Sequence, residues 1–522
     1  MKVASRRRPC NDQPASHTKF RTLPDQTPRF LRFDSREIGT CVLVQLHGDV
    51  GSFVRTPPAE GSDIVLPTVI LPPKNAASRV VIALIGVWVV VYSARAIVGH
   101  LALRTNAYDL SVFDYALWST TQGHVGFVPF MGESLLSQHV MPTLGLVLPA
   151  YLLLPSPWLL IGLQIATFAA AAVLLCRLFP EGLPMLPRLA ILLSFLFGRR
   201  SHSAVTSYFY IESFEPLLVF ALVLLWRRGR LWWAALAGFL ALGCKEDMAL
   251  YFIGWGGLIF FRESKRRGAT IALLSAVWLV ASVWWAVPAV RRMEGLPRSN
   301  PFVGSISETA AQADAFGSRV LSVPTAQSLV KISAGTGFLC WLAPEVFAVA
   351  LPGLFVTLVA NPHTRTIGIT GHYLFPVLPW LFIAAAIGAL RLHAYSANAL
   401  RLLSLALIVG TAVDNPMWQG LSRDLTEFDK ARPARRQLAL IPNNVPVLAM
   451  PNVIPHLAHR PRVWALGTKQ AEAALPDYIV LTTVGVLWPF DATQVESTIQ
   501  RYRADPAFVE VSSGPAFIYR RR

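Results

Sequence analysis

Apolar positions along this chain come in long blocks rather than in the short alternations of a soluble domain. Runs at 79–98, 157–178, 268–289, 372–390 and 401–418 approach the roughly 20 residues that a helix needs to cross a bilayer. Shorter runs at 187–198, 215–226, 231–244 and 248–261 reach that length with their flanks. The segment 325–360 predicts two helices that break at Ala343-Pro344. The run 140–154 either spans or forms a half-helix ending at Pro155-Ser156-Pro157. About eleven transmembrane helices are predicted in all, so residues 76–418 read as an all-α polytopic membrane domain.

Both ends depart from this pattern. Residues 1–75 contain SRRRP, PDQTP and TPPAEGSD and no sustained apolar stretch, which predicts a disordered cytoplasmic tail. The first long apolar run comes too late for a signal peptide. Residues 419–522 hold VPVLAM, RVWAL, DYIVLTTV, FVEVSS and AFIYRR. Such β-branched and aromatic runs between Pro and Gly predict a small α/β domain.

Composition agrees with a membrane class: 53% of residues are hydrophobic and 15% charged, against about 25% charged in soluble proteins. The net charge of +17 changes the picture less than its size suggests. Much of it lies between apolar runs, at Arg227, Arg228 and Arg230 and at Arg262, Lys265, Arg266 and Arg267. Cytoplasmic loops carry such clusters, so topology accounts for the charge and no nucleic-acid partner is expected. With Lys74 and Arg79 also inside, the reading is a multi-pass plasma (inner) membrane protein. Its amino terminus is cytoplasmic, and its first outer loop lies at about 99–140. A second outer loop lies at about 290–325, and the carboxy-terminal domain is extracytoplasmic. Arg199, Arg200 and His202 fit this scheme least well. The five cysteines have no metal-site or disulfide spacing.

Placed on that topology, the unusual polar residues gather at the outer side. They are Asp109 and Asp114 in NAYDLSVFDYALW, Gln138-His139, Glu212 and Glu215 in YIESFEP, Lys245-Glu246-Asp247, and His372-Tyr373. Ionisable groups near lipid are costly unless paired or facing water, so each marks a candidate site. Each also has a plain alternative. A loop carboxylate can simply cap a helix, and Lys245-Glu246-Asp247 can neutralise itself in a turn. Glu212 and Glu215 before Pro216 suit a helix start, and His139 and His372 suit an interface. No phosphate-binding loop, dinucleotide fingerprint or zinc-protease helix occurs.

YDLSVFDYALW, SQH, ESFEP and GCKEDMALYF, followed by APEVFAVALPGLFVTLVA, GHYLFPVLPWLF, PHLAHRPRVWAL and DYIVL, resemble a bacterial and archaeal membrane-protein family. It is known as domain of unknown function 2079, and the likeness runs from about residue 80 to about 490. That family resembles the C-type-fold membrane glycosyltransferases, which take sugar from a polyprenyl-phosphate carrier at the outer membrane face. The resemblance implies an acidic residue of the first outer loop acting on the acceptor, here Asp109 or Asp114, with Asp109 favoured. For such a transfer the leaving phosphate needs cations, and Lys245 is the best-placed one, with His139, His372 or Arg319 helping; a divalent cation held by Asp109, Glu215 and His139 is the other way to meet that charge. The sequence departs from the family twice. Ser137-Gln138-His139 stands where Gly-Asp-His is usual, and Glu212-Ser213-Phe214-Glu215 where Phe-His-Pro-Glu is usual. A secondary transporter and a non-catalytic family member are the alternatives. The absence of an internal repeat speaks against the transporter.

Overall fold

The computed structural model describes residues 76–297, 322–360 and 369–522. The expected amino-terminal tail, Arg319 and most of the 290–325 loop lie outside the described residues. Among the described residues, five helices are long and apolar enough to cross a membrane: Arg79–Leu101, Pro157–Leu178, Lys265–Met293, Gly371–Tyr395 and Ala397–Leu438. Their starts are written locally. Ser156 and Ser396 cap the second and fifth through backbone N–H groups, and Pro157 fills a first-turn position where no N–H is needed.

The helix count is where the sequence expectation and the structure part. The runs at 187–198, 215–226, 231–244 and 248–261 form Met185–Phe197, Glu215–Arg227, Leu231–Leu242 and Met248–Arg262. These have 13, 13, 12 and 15 residues, short of the roughly 20 that span unaided. Turns at Gly229-Arg230 and Gly243 to Asp247 stop them before they lengthen. Residues 142–153 likewise make only a short 3₁₀ and α segment. The break in 325–360 is wider than one bond, running from Gly335 through a 3₁₀ turn to the helix start at Pro344.

Aromatic rings tie the helices into one core. Phe168 stacks on Phe195 at 4.5 Å and on Trp88 at 5.4 Å, and Phe195 meets Phe382 edge-on at 5.1 Å. Gly371–Tyr395 is the most enclosed long helix, with 83% of its apolar window buried, and it forms the centre of the bundle.

A two-stranded hairpin, β1 (Phe127–Val128) and β2 (Glu133–Ser134), interrupts the first loop. The five strand-like runs of the carboxy-terminal part become β3 (Val447–Ala449), β4 (Val463–Ala465), β5 (Tyr478–Thr482), β6 (Phe508–Ser512) and β7 (Ala516–Arg521). They form one mixed sheet of order β4-β3-β5-β7-β6, parallel across β4-β3-β5 and antiparallel beyond. Parallel neighbours require crossovers. The β3–β4 crossover, residues 450–462, carries His456 to Thr105 and His459 to Asp114, both in the loop after the first long helix.

Candidate functional site

The loop that follows the first long helix does two separate things. Leu103 turns the chain in left-handed backbone, φ 56°, and Asn106 caps the next turn by accepting from the Tyr108 N–H at 3.0 Å. On that turn, Ala107–Ser111, Asp109 lines a cavity of about 310 Å³ and accepts a hydrogen bond from the Tyr210 hydroxyl. Burial pushes its carboxyl above the ordinary value, while the Tyr210 hydrogen bond works the other way.

Asp114, five residues on, faces a different environment. It is 3% exposed and accepts from the Tyr151 hydroxyl at 2.6 Å and from His459 Nε2 at 2.7 Å. Trp118 stacks on the His459 ring at 5.4 Å and Tyr115 meets it edge-on at 5.2 Å. Further bonds join this loop to the sheet domain. The Ala107 N–H donates to the Pro451 carbonyl at 2.9 Å, the Val486 N–H to Leu103 at 3.1 Å, and the Asn106 amide to Trp488 at 3.2 Å. Asp114 is therefore part of a joint between two regions of the fold.

Arg95, Arg104 and Arg423 line the Asp109 cavity. All three point at one buried carboxylate, Asp424, with Nε to oxygen distances of 3.3, 2.7 and 3.7 Å. Gly420, one turn before Asp424, makes room for this cluster, because a Cβ there would stand 2.4 Å from Arg95 Nη2. Arg95 also donates to His202 Nε2, while Nδ1 meets the Tyr92 hydroxyl at 2.9 Å. Burial, reinforced by Arg95 and Arg199, pushes His202 down to about 3, so the ring is neutral at physiological pH.

A second cavity of about 770 Å³ adjoins the first and shares Arg95, Thr206 and Arg423 with it. Its wall adds Arg199, Arg200 and Lys331. Arg199 and Arg200, the residues that fit the loop-charge scheme least, thus face a cavity.

The remaining acidic and aromatic candidates form a neighbouring cluster. Lys245 Nζ lies 3.1 Å from Glu212 and 3.9 Å from Asp247, and 5.6 Å above the Tyr373 ring. Burial lowers the ammonium's affinity for its proton, but Asp247 and Glu212 outweigh that and hold Lys245 above its usual value. Burial pushes Asp247 up. Glu215 is fully buried, and neither of its carboxylate oxygens has a hydrogen-bond partner. Glu246 meets His139 Nδ1 at 2.8 Å and the Val140 N–H at 3.0 Å. Burial alone would raise Glu246, but His139 and the other partners hold it below the ordinary glutamate value.

His372 stacks on Tyr210 at 3.9 Å and adjoins Tyr373, so a run of contacts leads from Asp109 to Lys245. Lys245 lines neither cavity. A divalent cation on Asp109, Glu215 and His139 finds no convergent donors, since Tyr210 occupies Asp109 and Glu246 occupies His139. Among the described residues no group of three or more His, Cys, Asp or Glu is arranged to hold a metal ion.

Sequence reasoning missed Arg95, Arg104, Arg423, Asp424, Tyr210 and His459. One signal was present: Arg95 sits inside an apolar run, where a charge needs a partner.

The fold matches that in the crystal structure of ArnT from Cupriavidus metallidurans bound to undecaprenyl phosphate. The TM-score is 0.53 at 12% sequence identity, covering 85% of this chain and 98% of ArnT. No curated protein matches the chain in sequence. Residues 99–509 match a family described as predicted membrane protein (DUF2079), and the chain belongs to that family.

Proposed function

We propose that the protein is a glycosyltransferase that takes a sugar from a polyprenyl-phosphate carrier at the extracytoplasmic face of the plasma membrane. One observation carries the reading: a half-buried carboxylate, Asp109, shares a cavity with Arg95, Arg104 and Arg423. Glycosyl transfer needs both halves of that arrangement. Asp109 accepts the proton of an acceptor hydroxyl, whose oxygen bonds to the anomeric carbon. The bond from that carbon to the phosphate oxygen breaks, and its electron pair leaves with the polyprenyl phosphate. The phosphate gains a second negative charge, which the arginines stabilise without protonation. Tyr210 keeps the Asp109 carboxylate oriented.

The fold shared with ArnT, a protein seen bound to undecaprenyl phosphate, supports this donor class. In this reading the short apolar helices cross the membrane with their flanks, giving the topology of about eleven spans. The lipid tail lies between helices, and the sheet domain, docked on the outer loop, holds the acceptor. Glu212, Glu215, Lys245, Glu246, Asp247, His139 and Tyr373 form the neighbouring cluster, outside both cavities.

The test is release of polyprenyl phosphate from a panel of polyprenyl-phosphate sugars by purified protein in lipid. Wild type releases it with at least one donor, and Asp109→Asn lowers the rate by about 10²–10⁴-fold, the usual contribution of a positioned base. Unchanged release by a folded Asp109→Asn protein overturns the assignment.

A further inference from the structure

The two cavities differ in charge balance. The first is lined by Arg95, Arg104 and Arg423 against Asp109 and Asp424. It carries a small cationic excess, suited to the single charge of a phosphodiester donor. The second is lined by Arg95, Arg199, Arg200, Lys331 and Arg423 against Asp414 alone. Asp414 already pairs with Arg199 at 2.7 Å, and both side chains are more than half exposed. Neither Arg200 nor Lys331 forms an ion pair among the described residues. Among the described residues the Arg200 guanidinium has only a long hydrogen bond, 3.4 Å, to the Ile369 carbonyl. His202 adds no charge, because both ring nitrogens are engaged by Tyr92 and Arg95.

Several cations gathered on one wall repel one another, and an anion relieves that repulsion. Arginine suits phosphate because its donors form a planar fork that meets two oxygens at once. Size points the same way. A cavity of about 770 Å³ falls in the range that holds a whole small molecule, well beyond one phosphate. Arg95 and Arg423 face both cavities, so a ligand in the second stands next to the Asp109 chemistry.

We infer that the second cavity is a phosphoryl-binding site, so that the protein holds two phosphoryl groups side by side, with Arg95 and Arg423 between them. This rests on the proposed glycosyl transfer for its meaning, and it narrows the substrate class. Either the acceptor is itself phosphorylated, or the carrier is a diphosphate whose second phosphate reaches across.

Binding by the full-length protein in lipid nanodiscs separates these sources. The probes are polyprenyl phosphate, polyprenyl diphosphate and a soluble sugar phosphate. The variants are Arg200→Gln with Lys331→Gln, and separately Arg104→Gln. For a phosphorylated acceptor, the sugar phosphate binds together with polyprenyl phosphate, and the double variant weakens it about tenfold or more while leaving polyprenyl phosphate unchanged. For a diphosphate carrier, the diphosphate binds about tenfold more tightly than the monophosphate, and the double variant removes that advantage. In both cases binding weakens as salt rises. If the double variant alters neither the sugar phosphate nor the diphosphate, the inference is overturned. Failure of the glycosyl-transfer reading shows elsewhere, as Asp109→Asn protein that still releases polyprenyl phosphate.

Discussion

Two charged regions lie side by side in this molecule and treat charge in opposite ways. Around Lys245 a single cation is surrounded by Glu212 and Asp247 and enclosed with Glu215, so its charge is answered from within. Around Arg95 the cations outnumber the acids, and they face cavities rather than one another. A cation already outnumbered by buried acids has its charge answered, whereas a cation-rich wall with room in front of it invites a ligand. Sequence position favours Lys245 as the phosphate partner. The geometry shifts that proposal to the arginines.

The comparison can be broken first at Lys245. Removing one member of a buried charge cluster leaves the others uncompensated, so Lys245→Met is expected to destabilise the protein by about 3–5 kcal/mol. Thermal unfolding in detergent checks this, and an unchanged melting temperature would mean that the acids face water. A smaller loss is expected at the joint between loop and sheet domain. Asp114→Asn weakens the bonds from His459 and Tyr151, at about 1–3 kcal/mol, and exposes residues 419–522 to limited proteolysis. Asp114→Asn protein that stays protected but loses sugar transfer would instead move the base from Asp109 to Asp114.

Two finer predictions sharpen the arginine side. The Tyr210 hydroxyl donates to Asp109 and so favours the charged carboxylate. Tyr210→Phe removes that donor, and the carboxyl pKa rises further. A base must be ionised, so the acidic limb of the kcat/KM profile moves to higher pH, and an unmoved limb would separate Asp109 from the rate. The mildest change is Gly420→Ala, whose methyl group would press on Arg95. Polyprenyl-phosphate binding is then expected to weaken by about threefold, with little effect on stability.

Much of the architecture was legible because it is repetitive. Long apolar runs marked the five long helices, and β-branched runs marked all five strands of the carboxy-terminal sheet. The short helices were harder, since their ends depend on local turns at Gly229 and Gly243. The site was legible only in its local pieces. Asp109 stood out as a carboxylate in an aromatic patch near lipid. Its setting did not, because Arg95 meets Asp424 across 329 positions and Asp114 meets His459 across 345. No periodicity records such a pairing. Arg95 carried the one usable signal, a charge in an apolar helix, and the misfit of Arg199 and Arg200 was a second hint of the same cavity.

The most direct test compares polyprenyl-phosphate affinity in wild type, Arg104→Gln and Lys245→Met, using only folded protein in nanodiscs. The account predicts about a tenfold or greater loss for Arg104→Gln and wild-type affinity for Lys245→Met. The opposite result, with Lys245→Met losing the lipid and Arg104→Gln keeping it, would return the phosphate to Lys245 and contradict the division between the two regions.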